Sequence, residues 1–167
     1  KSLKEIGFFV GTGVMIGFPG QTIENLADDV LFFQKMGVDM VGMGPYIPHI
    51  DTPLGQSVPL NYDNLSLSLK MIAVTRLVLR NVNIASTTAL QTIKDDGREL
   101  GLKFGANVVM PQLTPQEVRK EYMLYNGKPC IEESRSDCST CLKNRIMSLG
   151  RVVSTNIWGD RNRKSGV

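Results

Sequence analysis

Residues 8–17 read FFVGTGVMIG, and residues 18–37 continue FPGQTIENLADDVLFFQKMG. The first ten are rich in Phe, Val, Met and Gly, the composition of a strand buried on both faces. FPGQT is a turn, and Thr22 stands where a helix N-cap belongs. Beyond it Leu26, Val30 and Phe33 recur at i, i+4 and i+7, which predicts a helix that Gly37 stops. One strand–turn–helix unit is therefore written into the opening residues.

The unit repeats. VDMVGMG (residues 38–44) reads as a second buried strand, and a proline-punctuated loop leads to a helix over about residues 64–80. Apolar residues occupy most of that helix's circumference, which predicts deep burial. Residues 83–90 (NIASTTAL) read as a third strand and residues 95–105 as a helix capped by Asp95 or Asp96. Residues 106–111 (ANVVMP) read as a fourth strand. Thr114, Pro115, Gln116 and Glu117 have capping-box spacing and open a helix to about Tyr125. Crossovers of this length suit parallel strands. Four such units suit a small doubly wound sheet or half of a (βα)8 barrel; a whole barrel needs about 250 residues.

The chain has 167 residues, a net charge of +3 and 42% hydrophobic residues, which is enough for one substantial core. Its basic excess lies near the end, where Lys143, Arg145, Arg151, Arg161, Arg163 and Lys164 face only Asp160. Trp158 alone interleaves with these charges, so they read as a solvated tail and not as a nucleic-acid site. No apolar run reaches the ~18 residues of a membrane span, and no signal peptide is visible. With three cysteines the chain does not read as a secreted disulfide scaffold, and a cytoplasmic location is expected.

Ligands of parallel α/β sheets bind at the carboxyl ends of the strands. Here those ends carry Gly17, Gln21, Gly44 to Asp51, Thr87, Thr88, Met110 and Gln112. There is one histidine, His49, and no paired carboxylate, so acid–base and triad chemistry have little to work with. GTGVMIG keeps its glycines inside the strand, so a dinucleotide fingerprint is not expected. Such a lining suits a close-packed, fairly apolar ligand with a few hydroxyl donors. Thr87 and Thr88 are adjacent, so only one faces a pocket unless the strand has ended.

The cysteines cluster as Cys130, Cys138 and Cys141, spaced C-x7-C-x2-C. Zinc and iron–sulfur sites both want a fourth ligand. Lys128, Arg135, Lys143 and Arg145 nearby favour thiolates. A non-enzymatic metal-binding α/β module is one reading of this segment; three unrelated reduced thiols is another.

GTGVMIGFPGQT, DMVGMGPYIPHIDTPL and STTALQTIKDDGRELGLKFGANVVMPQLTP together resemble the radical S-adenosylmethionine enzymes of the biotin synthase group. Within it the chain is most like the maturases of FeFe hydrogenase; biotin synthase and methylornithine synthase are the alternatives. The resemblance implies units five to eight of a TIM-like (βα)8 barrel at residues 1–125. It implies a Cys-containing helical cap and basic tail at residues 126–167. It implies S-adenosylmethionine cleaved to a 5′-deoxyadenosyl radical at a 4Fe–4S cluster held by C-x3-C-x2-C. That motif does not occur in these residues, so the chain alone is expected to be inactive. By the same resemblance Gly11, Gly13, Met15, Gly17, Met43, Pro48, His49 and Ile50 contribute to the S-adenosylmethionine pocket. Thr87, Thr88, Met110, Tyr122 and Tyr125 line the cavity for a small organometallic or amino-acid-like substrate. Cys130, Cys138 and Cys141 match ligands of an accessory iron–sulfur cluster. Other hydrogenase maturases are implied partners, with neither nucleic acid nor membrane. Two raw sheet edges lead to the further expectation that the chain self-associates.

Overall fold

The computed structural model describes residues 2–59, 61, 63–132 and 135–154; the basic tail with Trp158, Asp160, Arg161, Arg163 and Lys164 lies outside them. After a short helix α1 (Ser2–Glu5), strands β1 (Gly11–Ile16), β2 (Met40–Pro45), β3 (Asn83–Ser86) and β4 (Val108–Val109) form one sheet. All its pairings are parallel, and the order is β1-β2-β3-β4. Each strand adds on the same side of the one before. The result is an open four-stranded sheet with helices between its strands, as in half of a TIM-like barrel.

Helix α2 (Ile23–Met36) matches its sequence signature. Thr22 accepts from Asn25 N–H while the Asn25 side chain accepts from Thr22 N–H, a reciprocal cap. Gly37 closes the helix in the left-handed conformation at φ 57°, which costs glycine least. The buried residues are Leu26, Val30 and Phe33, the three that the period picks out. Full burial of a side chain such as Phe33 stabilises by about 1.5–3 kcal/mol.

Side chains alternate across the sheet. Val41 and Met43 point to the helix layer with Ile16, Ile84 and Ile72, all fully buried. Gly13, Met15, Gly42 and Gly44 occupy the alternate positions, on the opposite face. A methyl group on Gly13 would collide with the Gly42 carbonyl, so the glycines set how closely β1 and β2 approach.

Four expectations are corrected. The third strand ends at Ser86, and Thr87 is the N-cap of a new helix, α5 (Thr88–Ile93). β-branched threonines favour a strand locally, but burying Leu90 completely demands the turn. The long helix is α4 (Asp63–Val78), buried through Asn64, Ser68, Leu69, Met71, Ile72 and Thr75 only, while Leu77 is 76% exposed. A further helix, α3 (Pro53–Ser57), lies within the expected loop, capped by the Thr52 hydroxyl. The expected helix from Thr114 is instead a 3₁₀ segment at Gln116–Tyr122 without a side-chain cap. Thr114 Oγ1 donates to Gln112 Oε1, so no capping box forms. The buried Arg119 organises this stretch, donating to the Thr114 and Cys130 carbonyls.

Helix α6 (Gly97–Lys103) follows α5, with no side-chain cap from Asp96, which instead pairs with Lys94. Helix α7 (Arg135–Ser148) packs back on it. Arg145 donates to both Glu99 carboxylate oxygens, at 2.8 and 3.0 Å, and to the Asp95 carbonyl. Burial pulls the Arg145 pKa down, but hydrogen bonding to Cys141 and the charge of Glu99 outweigh it and hold the guanidinium above its ordinary value.

Candidate functional site

The carboxyl ends of the strands open into a cleft of about 610 Å³, a size usual for small-ligand sites. Its floor begins at Val14 and Met15 on β1, Gly44 and Pro45 on β2, and Ser86 on β3. Its walls come from the loops that follow these strands and from residues 124–130.

Because β3 ends early, Thr87 and Thr88 both line the cleft. Thr88 Oγ1 lies 2.6 Å from Tyr125 Oη and joins the third strand's end to the wall. Thr87 Oγ1 is buried with no hydrogen-bond partner. A methyl group on Gly44 would come within 2.8 Å of that oxygen, so the bare glycine leaves it room.

His49 lines the cleft, but both ring nitrogens are engaged with backbone. Asp51 N–H donates to Nδ1 at 3.1 Å, which leaves Nε2–H to donate to the Met123 carbonyl at 3.1 Å. The ring therefore clamps the β2 loop to the wall.

The cleft gathers Met15, His49, Thr87, Thr88, Met110, Tyr125 and Cys130 from among the residues singled out in the sequence. Gly11, Gly13, Gly17, Met43, Pro48, Ile50, Tyr122, Cys138 and Cys141 are not among its lining. Gly11 begins β1, at the end away from the cleft. Met43 is fully buried on the helix side, where its sulfur accepts from Thr75 Oγ1. Gly17 shapes the turn after β1 at φ 78°, its N–H donating to Gln21 Oε1 at 2.7 Å. Tyr122 is exposed, because the segment bearing it ends there and does not continue to Tyr125.

The cysteines are not assembled. Cys138 is fully buried and accepts from Gln112 N–H at 3.4 Å, Cys141 is bound by Arg145, and Cys130 borders the cleft at φ 65°. Among the described residues no three His, Cys, Asp or Glu side chains come together as a metal site.

Sequence reasoning missed Arg98. It is 3% exposed, yet it lines the cleft from α6. The available signal was the glycine pair around it: a Cβ at Gly97 would strike the Leu90 backbone, and one at Gly101 the Ser86 side chain. Glycines at these positions draw α6 against β3 and carry Arg98 inward.

No family model matches the chain. It is 47% identical over 162 residues to the [FeFe] hydrogenase maturase subunit HydE of Thermotoga maritima. That alignment covers 97% of this chain and 45% of HydE, so the chain spans a little under half of that protein's length. It is also 32% identical over 110 residues to the biotin synthase of Rippkaea orientalis, covering 66% of this chain and 29% of that protein.

Proposed function

Because this chain belongs to the radical S-adenosylmethionine enzymes of the biotin synthase group, like HydE, we propose that it forms the carboxy-terminal half of a FeFe-hydrogenase maturase. The observation that carries this reading is the 47% identity to HydE across nearly the whole chain. Biotin synthase chemistry is the second reading, supported by 32% identity over a shorter span.

The cleft fits part of an S-adenosylmethionine enzyme's cavity. Its floor is pared down at Gly44, and its lining mixes apolar residues with polar groups that include Thr87, Thr88, Tyr125, Arg98 and His49. When bound, S-adenosylmethionine would supply a 5′-deoxyadenosyl radical. This chain's part is to wall the cavity, exclude water and hold the substrate's polar groups at Thr87, Thr88 and Tyr125. The cluster that such chemistry needs finds no ligand set here. The three cysteines lack the C-x3-C-x2-C spacing and are not gathered, so its ligands are assigned to the other half. The open edges at β1 and β4 support pairing with that half, or with a second copy of this chain when alone.

The test is an anaerobic assay of 5′-deoxyadenosine release, with reductant. The 167-residue chain alone is expected to release none. Paired with an amino-terminal half bearing C-x3-C-x2-C, it should release 5′-deoxyadenosine and support hydrogenase maturation. Release coupled to conversion of dethiobiotin would favour the second reading; no release by the pair would overturn both.

A further inference from the structure

Arg98 is the odd residue of the cleft. Its Nε and Nη1 are buried and have no hydrogen-bond partner. None of the ion pairs among the described residues includes it. Of the neighbouring carboxylates, Glu99 is engaged by Arg145 at 2.8 Å and Asp96 by Lys94 at 3.2 Å. A buried guanidinium without acceptors is costly, and a native fold keeps one where an acceptor arrives from outside.

The surroundings specify that acceptor. The described lining of the cleft includes the cations Arg98 and Lys128 but no Asp or Glu. Positive charge without a countercharge in a walled cleft favours an anion. Thr87 Oγ1, the other orphaned polar atom in this lining, offers a hydroxyl donor from the N-cap of α5, the helix against which α6 packs. The planar guanidinium fork suits a carboxylate better than a lone point charge does.

We propose that Arg98 and Thr87 form a carboxylate-binding subsite in the cleft, so that the molecule bound there carries a carboxylate seated against α6. This rests on the cavity reading above only for which molecule that is; the subsite itself stands on the orphaned donors. The carboxylate belongs either to the substrate or to the methionyl end of S-adenosylmethionine.

The test is side-chain NMR of the 167-residue chain with ¹⁵N-labelled arginine. Sodium acetate is titrated at constant ionic strength, with acetamide as the neutral isostere. The Arg98 Nε–Hε resonance should move saturably with acetate, with a Kd in about the millimolar range, and stay still with acetamide. Thr87→Val should weaken acetate binding several-fold, and Arg98→Gln should abolish the saturable phase at the other cleft resonances. Because the wild-type resonance is itself the readout, the test survives a variant that fails to fold. An unmoved Arg98 resonance, or equal shifts from acetamide, would overturn the proposal. Displacement of acetate by S-adenosylmethionine assigns the carboxylate to the cofactor; simultaneous binding assigns it to the substrate. Acetate binding at Arg98 in a protein whose paired halves release no 5′-deoxyadenosine would retain the subsite and remove the maturase reading.

Discussion

Thr88 Oγ1 and Tyr125 Oη stand 2.6 Å apart, 37 residues apart in the chain, and this contact ties the wall of the cleft to the end of β3. Two hydroxyls bonded to each other remain able to turn toward a ligand, because each is both donor and acceptor. Tyr125→Phe should cost about 1 kcal/mol of stability and loosen residues 123–130. Hydrogen exchange should show faster exchange there and no change in β1 or α2. Unchanged protection in residues 123–130 would mean that the contact does not hold the wall.

Asn107 sets β4 in place. Its Oδ1 accepts from Arg76 Nη2 at 2.9 Å and Ile84 N–H at 2.8 Å, and its Nδ2 donates to Asn83 Oδ1 at 2.8 Å. Asn107→Leu leaves these partly buried groups without that partner, so about 3 kcal/mol should be lost in urea unfolding. A loss below 0.5 kcal/mol, the range of ordinary surface substitutions, would show the network to be dispensable.

Gly17 carries a positive φ of 78°, and a side chain there would run into Asn64, which is 3% exposed and donates to the Gly17 carbonyl. Gly17→Ala should destabilise by about 1–3 kcal/mol. Asn64→Ala should relieve the collision, so the double variant should lose less than the sum of the single losses. Simple additivity in a double-mutant cycle would argue that the two do not meet.

The pKa of Glu24 is lowered from 4.5, first by a backbone hydrogen bond within its own residue and second by the Thr22 hydroxyl. A depressed carboxylate pKa means that the folded state binds the proton less tightly than the unfolded state does. The stabilisation is therefore complete above pH 4.5 and is lost as pH falls through the lower folded value. Stability measured from pH 7 to pH 3 should fall less steeply in Glu24→Gln than in the wild type. Parallel curves would remove Glu24 from the acid response.

Cys138 is fully buried, whereas Cys130 and Cys141 are partly exposed. A thiol reagent should label Cys130 and Cys141 in the native chain and reach Cys138 only on unfolding. Equal labelling of all three would show that α7 does not pack as described.

Much of the fold was legible because local signals agreed. In α2 the reciprocal cap, the apolar period and the closing glycine lie within sixteen residues and need no distant partner. The parallel order followed from crossovers too long for hairpins. The cleft was legible as a place, the strand ends, and in Met15, Thr87, Thr88, Met110 and Tyr125 as residues. Resemblance to a family supplied the residue assignments; propensity alone would have left both threonines inside a strand.

What the sequence determined by itself was the repeated strand–helix unit and the kind of residue found at its ends. The tertiary structure decided which face each residue serves. Met43 and Met15 are two methionines on paired strands; the pleat sends one to the helix core and leaves the other at the cleft. Arg98 itself carried no signal in the sequence that singled it out. It became the buried cation of the cleft because Gly97 and Gly101 let α6 settle against Leu90 and Ser86. That approach depends on contacts between segments distant in sequence, and no local period or propensity records it.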